Sequence, residues 1–454
     1  MSKQFRPYEP KQSLLLPPNL DEWLPEDHMA RFLSDVVGEL DLKEIYKPYE
    51  KEERGYPPYE PGMMTRVLFY AYVVGVPSSR RIERRLQDDV AFRYLAAGNH
   101  PDHRTIADFR RRHLDALAKL FKQVLQLCQE AGLVQLGHVS LDGTKVKANA
   151  SKHKAMSYER MVKAEVQLEN EIRDLLKKAE ETDSEEDQKF GRDKRGDELP
   201  EELSRRVSRL DKIRQAKAAL EAKAKKDADA RREARAQQEE IARQENRSAG
   251  PKPAISDSPD PKAQRNFTDP ESRIMKGPDG GFVQAYNCQA MVDASSQVII
   301  ACDASPCAAD AVQVEPMMLE VLDNTGQFPE IATMDAGYYS DLNVEGLKDL
   351  GVDPYIAAGR QKHTDNPVPP RGRIPVGLTT RQQMERKLRT QRGRRIYSRR
   401  KAIIEPVFGQ IKGRGFRQFL LRGQQKVNAE WKLIAATHNL LKLFGKLGGR
   451  WARN

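Results

Sequence analysis

The sequence predicts an α/β catalytic region, a mixed sheet flanked by helices, with an all-α region before it and a long charged helical hairpin inserted into it. From about residue 266, strand-like apolar segments alternate with helix-like ones, which is typical of a sheet covered by helices. The first 135 residues place apolar side chains at helical spacing. Residues 157–246 hold 22 basic and 24 acidic residues, a near balance that favours solvated helices.

Residues 1–135 are predicted to form a helical DNA-binding or assembly domain. WLPEDHMARFLSDVVGEL has apolar residues at helical spacing, and RVLFYAYVVGV reads as a buried helix. Ser78 and Ser79 are candidate caps of the helix that follows, and Thr105 opens TIADFRRRH with a capping-box pattern. Two short helices joined by AGNHPDH resemble a helix-turn-helix. An ordinary helical hairpin with a solvated arginine face is slightly favoured.

Residues 157–262 are predicted to form a coiled-coil insertion and a Pro-rich linker. Met161, Leu168 and Leu175 recur at coiled-coil spacing, and KFGRDKRGDELP (189–200) should interrupt the helix. Two long helices folded back as an antiparallel hairpin are favoured. A continuous dimeric coiled coil remains the alternative.

Residues 136–156 and 263–446 are predicted to form the catalytic domain. Its strands are HVSL (138–141), GFVQAYNCQAMVDA (281–294), QVIIACDAS (297–305), EIATMD (330–335) and DPYIAA (353–358), and its helices are DAVQVEPMMLEVLDNTG (310–326) and DLNVEGLKDLG (341–351). If HVSL joins the same sheet, the charged hairpin is an insertion between sheet strands.

Two aspartates follow apolar strands of this domain. Asp142-Gly143 lies between two alternating runs, and on local evidence this dipeptide predicts a hairpin turn. Asp335 ends the apolar EIATM and precedes Ala-Gly-Tyr. Because ligand sites in α/β sheets lie at strand ends, the two carboxylates are expected to converge. A divalent cation such as Mg²⁺ would relieve their repulsion.

A third carboxylate is predicted from the helical segment YSRRKAIIEPVFGQIKGRGF. Glu405 lies four residues after Lys401 and seven before Lys412, so the three share one helical face. An acid between bases suits a metal-bound phosphodiester, although a solvated Lys–Glu pair is the ordinary alternative. Pro406 must start or kink such a helix.

Positive charge is concentrated near the C-terminus. The net charge is +11, and residues 360–401 contain 14 Lys and Arg against two acids, which points to a polyanionic partner. A disordered basic linker is the alternative interpretation of residues 371–401. The longest apolar run is too short to span a bilayer, so no membrane contact and a cytoplasmic location are expected. The predicted DNA contacts are Arg399, Arg400, Lys401, Lys412 and Arg414.

The order Asp-Gly-Thr (142–144), Asp-Ala-Gly-Tyr (335–338) and Glu405 with Lys412 resembles the DDE transposases of bacterial insertion sequences. LLLPPNLDEWLPEDHMARF and NFTDPESRIMK with GGFVQAYNCQAMVDA extend the resemblance over nearly the whole chain. It implies a ribonuclease-H-like catalytic domain in which Asp142, Asp335 and Glu405 bind two Mg²⁺ ions, with Mn²⁺ able to substitute. It also implies cleavage and joining of double-stranded DNA at terminal inverted repeats by a homodimer or higher assembly.

The sequence departs from the Tyr-Arg-Glu-Lys signature that many members of this group carry. Lys401 stands at the Arg position and Ser398 at the Tyr position, with Tyr397 and Arg400 each one place off. Three other functions remain open: a metal-dependent DNA nuclease without strand transfer, a catalytically silent DNA-binding descendant, and a structural protein organised by the coiled coil.

Overall fold

A computed structural model describes residues 19–50, 57–190, 201–244, 254–277, 280–359, 370, 372–373 and 375–451, with the side chains of 178–190, 201, 202 and 241 left aside. The helices in chain order are α1 (Met29–Glu39), α2 (Lys43–Tyr46), α3 (Pro61–Val73), α4 (Ser79–Asp88), α5 (Val90–Leu95), α6 (His103–Arg112), α7 (Leu114–Glu130), α8 (Tyr158–Phe190), α9 (Glu201–Gln244), α10 (Val314–Thr325), α11 (Asp341–Asp349), α12 (Thr380–Arg389), α13 (Gln391–Ser398), α14 (Arg400–Gly413) and α15 (Gln424–Lys446). The strands are β1 (Val139–Lys147), β2 (Ala155–Ser157), β3 (Gln264–Asn266), β4 (Arg273–Lys276), β5 (Phe282–Asp293), β6 (Ile299–Ser305), β7 (Ile331–Met334) and β8 (Asp353–Ile356).

The N-terminal region is helical, as predicted, but its helix boundaries differ from the expectation at two places. Ser78 is the N-cap residue of α4. The single helix expected beyond it breaks at Asp89, whose carboxylate accepts a hydrogen bond from Ala91 N at 3.0 Å and so begins α5. The predicted start at Thr105 is wrong, because Asp102 caps α6 and accepts from Thr105 N at 2.7 Å.

The central sheet is mixed, which confirms the predicted architecture. β1 pairs with β5 antiparallel on one side and with β7 parallel on the other, and β7 pairs parallel with β8. β4 and β6 both pair with β5, so the sheet has six strands within the part of the chain that the structure describes. Gly326, with φ +80°, ends α10 as expected of a left-handed C-cap.

The predicted hairpin turn at Asp142-Gly143 is wrong. Both residues lie inside the nine-residue strand β1, opposite Ala290 and Gln289 of β5. The ladder continues to Lys147 because β5 is long enough to pair with the whole of β1. Glycine is needed at position 143 because the Gln289 side chain approaches the backbone closely: a Cβ there would lie 2.6 Å from Gln289 Nε2.

α15 ties the sheet to the N-terminal helices. Its Asn439 side chain accepts from Ile299 N at 2.9 Å and donates to Ile299 O at 2.8 Å, which fixes the helix against β6. Trp431, fully buried, donates from Nε1 to Gln289 O at 2.9 Å. α15 also packs along α7, and one continuous apolar core runs from the N-terminal helices through the sheet.

α8 and α9 form a separate antiparallel pair. Glu165 contacts Lys217 at 2.7 Å and Glu171 contacts Arg206 at 3.1 Å, so the two helices run in opposite directions. A small cluster that includes Met161 lies between them. The predicted break at 189–200 falls mainly on residues outside the described ones. None of the helices in the described ranges is long and apolar enough to cross a membrane.

Candidate active site

The parallel pairing of β1 and β7 brings Asp142 and Asp335 to the same end of these two central strands. The edge of the sheet that carries the site is the one where this parallel pairing stops. Ser140 pairs with Thr333, and each aspartate lies two residues further along its own chain. Side chains two residues apart on a strand project to the same face, so both carboxylates follow the same side of the sheet. β7 ends at Met334, which leaves Asp335 at the strand end, as predicted.

Asp142 is partly buried and already has two partners. Its Oδ1 accepts from Gly143 N at 2.8 Å, and its Oδ2 lies 2.8 Å from Arg400 Nη1. Burial raises the pKa of Asp142, and the nearby Asp335 charge adds to that rise, whereas the Arg400 guanidinium opposes it. The Arg400 guanidinium therefore offsets part of the effect of burial on this carboxylate.

Asp335 caps the short 3₁₀ turn Ala336–Tyr338. Its Oδ1 accepts from Gly337 N at 2.8 Å, which fixes the carboxylate beside the turn. Tyr338 points into the core, and its hydroxyl donates to Gln289 Oε1. Burial raises the pKa of the Tyr338 phenol.

α14 crosses this edge of the sheet and reaches β1 from both of its ends. Arg400 bonds to Asp142, and Lys412 Nζ donates to Thr144 Oγ1 at 2.5 Å. Glu405 lies between them in the helix and is exposed. Because Glu405 and Lys412 are seven residues apart, they share one helical face. Pro406 lies inside α14, so it does not start the helix.

Arg400 and Tyr397, which stand one place off the signature in the sequence, lie at the site in the structure. Arg400, rather than Lys401, pairs with Asp142, and its guanidinium lies 6.0 Å from the ring centre of Tyr397. The side chain of Arg400 is only 10% exposed, whereas Arg399 and Lys401 are exposed. The structure therefore assigns the inward position to Arg400.

Arg414 is separated from the other predicted DNA-binding residues. Its Nη1 donates to Tyr72 O at 3.4 Å and lies 3.5 Å from Thr437 Oγ1, between α3 and α15. Burial lowers its pKa to about 10. Its contact with DNA stays a prediction. The described part of the basic segment after Thr379 is helical, forming α12 and α13, rather than a linker without structure.

Oxygen donors at the sheet edge suit a hard divalent cation. Mg²⁺ usually takes one or two protein carboxylates and completes its shell with water and substrate phosphate. Asp142 and Asp335 offer these two carboxylates. No group of three or more His, Cys, Asp or Glu side chains within the described ranges is close enough to hold a metal ion, so Glu405 is not drawn together with the two aspartates here.

Three polar residues near the aspartates were not predicted. Asn287 and Gln289 lie on β5, and Asp310 follows β6. Gln289 Nε2 donates to Asp310 Oδ1 at 3.1 Å, and Asn287 Nδ2 does so at 2.7 Å. Alternating polar residues inside the otherwise apolar strand AYNCQAMV are a sequence signal for the first two. Asp310 carries no such signal, because it lies in a loop.

Paired carboxylates at one edge of a mixed sheet, beside a helix rich in cations, suit a site that binds a divalent cation and a phosphorylated or otherwise anionic substrate. Residues 18–112 match the family described as Transposase domain (DUF772), and residues 251–440 match the Transposase DDE domain. No match was found among curated proteins or solved structures. The chain belongs to the DDE transposases, enzymes of phosphoryl transfer on DNA.

The DDE domain implies a ribonuclease-H-like fold, and the mixed sheet flanked by helices agrees with it. DDE transposases generally use divalent metal ions. The DDE match contains Asp335 and Glu405, whereas Asp142 lies between the two matched ranges. It is the pairing of β1 with β5 and β7 that brings Asp142 to the same edge.

Proposed function

We propose that this chain catalyses Mg²⁺-dependent cleavage and strand transfer at the inverted-repeat ends of an insertion sequence. The observation that carries the proposal is the pair Asp142 and Asp335, each of which lies two residues beyond the paired residues Ser140 and Thr333 of the adjacent parallel strands β1 and β7. Glu405 is proposed as the third carboxylate, supported by its place on α14 between two side chains that reach β1. Mn²⁺ is expected to substitute for Mg²⁺.

Two bound ions would supply Lewis acidity and charge neutralisation for the attacking and leaving oxygens. Asp142 and Asp335 would hold them, and Glu405 would complete the set once α14 and DNA are engaged. Lys412, next to Thr144, is placed to hold a phosphate oxygen beside the carboxylates. Arg400 would exchange the Asp142 carboxylate for a phosphate of the DNA.

Exposed cations around this edge support a DNA track. Arg399 and Lys401 face solvent beside the site, and α12 and α13 add further arginines. Contacts of this kind position the duplex without reading its sequence. We propose that the assembly on DNA is a homodimer or larger, because a transposon has two ends to be joined.

The predicted division of the chain is retained in this proposal. Residues 1–135 would serve DNA binding and assembly, residues 136–156 with 263–446 catalysis, and 157–262 would form a coiled-coil insertion. The antiparallel packing of α8 and α9 supports the insertion.

The test is a joining assay with the full chain and DNA duplexes that carry the sequences flanking its gene. Asp142→Asn and Asp335→Asn should each lower Mg²⁺-dependent cleavage and joining roughly a thousandfold, since several kcal/mol of charge stabilisation are lost. Asp353→Asn, at the opposite end of the sheet, is the matched control and should keep activity. Cleavage without joining would indicate a nuclease, and full activity of both site variants would refute the proposal.

A further inference from the structure

The loop after β6 places a further carboxylate, that of Asp310, beside Gly143 and Gly337. Asp310 is partly buried, with 26% of its side chain exposed, and lies just before the 3₁₀ turn Ala311–Gln313. Its Oδ1 accepts from Asn287 and Gln289 and lies 3.5 Å from Lys145 Nζ. Three donors from β5 and β1 therefore fix this one oxygen.

Two glycines make room for the same carboxylate. A Cβ at Gly143 would lie 3.2 Å from Asp310 Oδ1 and closer still, 2.6 Å, to Gln289 Nε2. A Cβ at Gly337 would lie 3.3 Å from Asp310 Oδ2 and 3.1 Å from Asp335 Oδ1. Neither glycine has a positive φ, so the backbone conformation alone does not demand glycine at either position. Close approach does demand it. Gly143 directly follows Asp142, and Gly337 donates its N–H to Asp335.

A buried amide supplies an independent indication. Asn287 is fully buried, and its Oδ1 has no hydrogen-bond partner within the described part of the chain. That oxygen lies 2.9 Å from the position of a Cβ at Gly143, so it is directed at the corner that carries Asp142. An unpaired buried carbonyl costs stability, and such groups persist where a site requires them. Asn287 thus holds Asp310 with its nitrogen and faces the site with its oxygen.

The simpler alternative is that Asp310 only neutralises Lys145. An ion pair at 3.5 Å needs neither the two amide donors nor glycine at both corners. A carboxylate added next to Asp142 and Asp335 also increases the repulsion at this edge. The arrangement is therefore better explained by what it does for the two aspartates.

We infer that Asp310 is a positioning residue whose carboxylate, seated against Gly143 and Gly337, holds Asp142 and Asp335 at the separation that a divalent cation requires. This inference rests on the proposed function, in which the two aspartates bind the metal. Asp310 acts through the backbone of the two glycines and through Asn287 and Gln289.

The test is a titration of the full chain with Mn²⁺ in the absence of DNA, in which electron paramagnetic resonance measures the free and the bound Mn²⁺. Asp310→Ala should weaken Mn²⁺ binding by about tenfold or more, the usual range for supporting residues of a metal site. Asp310→Asn keeps an oxygen that can accept from both amides, so it should restore most of the affinity. Asp353→Asn, whose carboxylate also pairs with a lysine, should bind as the wild type does.

The outcomes separate this inference from the proposed function. If Asp142→Asn and Asp335→Asn lose Mn²⁺ while Asp310→Ala binds normally, the positioning role is refuted and the proposed function stands. If the two site variants also bind normally, the proposed function itself fails. A loss of affinity in Asp310→Asn as large as that in Asp310→Ala would also overturn the positioning role, because the charge would then act directly.

A second variant keeps the test decisive if Asp310→Ala does not fold. Gly337→Ala leaves Asp310 in place but crowds both Asp310 Oδ2 and Asp335 Oδ1, and it should weaken Mn²⁺ binding severalfold with an unchanged melting temperature. Gly346→Ala, at a helix position with open space around it, is the matched control. Unchanged Mn²⁺ affinity in Gly337→Ala would refute the inference.

Discussion

The sheet that carries the site and the α8–α9 hairpin are stabilised in different ways. In the sheet, side chains distant in sequence meet in a largely buried setting, as with Arg400 and Asp142, whose side chains are 10% and 20% exposed. In the hairpin, a small apolar cluster is flanked by solvated ion pairs such as Lys217 with Glu165. We therefore expect the charges in the sheet to be coupled to global folding, and those of the hairpin to the opening of one helix pair.

The largest expected difference concerns matched cavities in the two regions. Leu141 of β1 and Ile213 of α9 are both buried. Leu141→Ala should lower the free energy of global unfolding by about 4 kcal/mol, because the surrounding core cannot collapse onto the cavity. Ile213→Ala should lower only the local opening energy of α8 and α9. Native-state hydrogen exchange measures both, and equal losses of protection in the sheet would contradict the comparison.

The second expected effect concerns the ion pair at the site. Arg400→Gln leaves Asp142 without its cation and should destabilise the chain by about 2–3 kcal/mol, somewhat below the range for fully buried pairs. Bound Mn²⁺ should then stabilise the variant more than the wild type, because the metal no longer competes with a guanidinium. Melting temperatures with and without Mn²⁺ measure this. Lys401→Gln is the control, and an equal Mn²⁺ response in both variants would speak against competition.

Much of the sheet could be predicted from sequence, because its strands are apolar and are followed by clear helix signals. Asp335 at the end of EIATM is such a case. Asp142 was predicted to lie in a turn, because Asp-Gly is a local hairpin signal, whereas pairing with β5 decides the conformation. Gly143 is required there by the close approach of Asp310 and Gln289, which are distant in sequence, so no local pattern could reveal it.

The basic helix α14 illustrates the same limit. Its existence and its cations were predictable from sequence spacing, but helical spacing alone did not show that Arg400 rather than Lys401 faces the sheet. The choice depends on where the helix begins and how it lies against β1. The position of the Asp310 carboxylate depends on a loop conformation, which the spacing of apolar residues does not predict.

The third expected effect is a dependence on pH in the sheet region. His438 on α15 is buried beside Lys442 and Arg414, and burial lowers its pKa to about 3 from the ordinary value of 6.5. The unfolded chain binds this proton more readily, so stability should fall as pH drops below 6.5, by about 2 kcal/mol at pH 5. His438→Gln should lose this part of the pH dependence in thermal unfolding. His153→Gln, at an exposed histidine, should retain it.

The smallest effect is expected in the hairpin. Glu165 lies 2.7 Å from Lys217 and 3.2 Å from Arg214, and Glu165→Gln removes both attractions. Ion pairs near water contribute little to stability, and 1 M salt shortens the screening length to about 3 Å. Hydrogen exchange of α8 amides should therefore show a slight loss of protection at low salt and none at high salt. A loss that persists at high salt, or that extends to β1, would mean that the hairpin is coupled to the sheet after all.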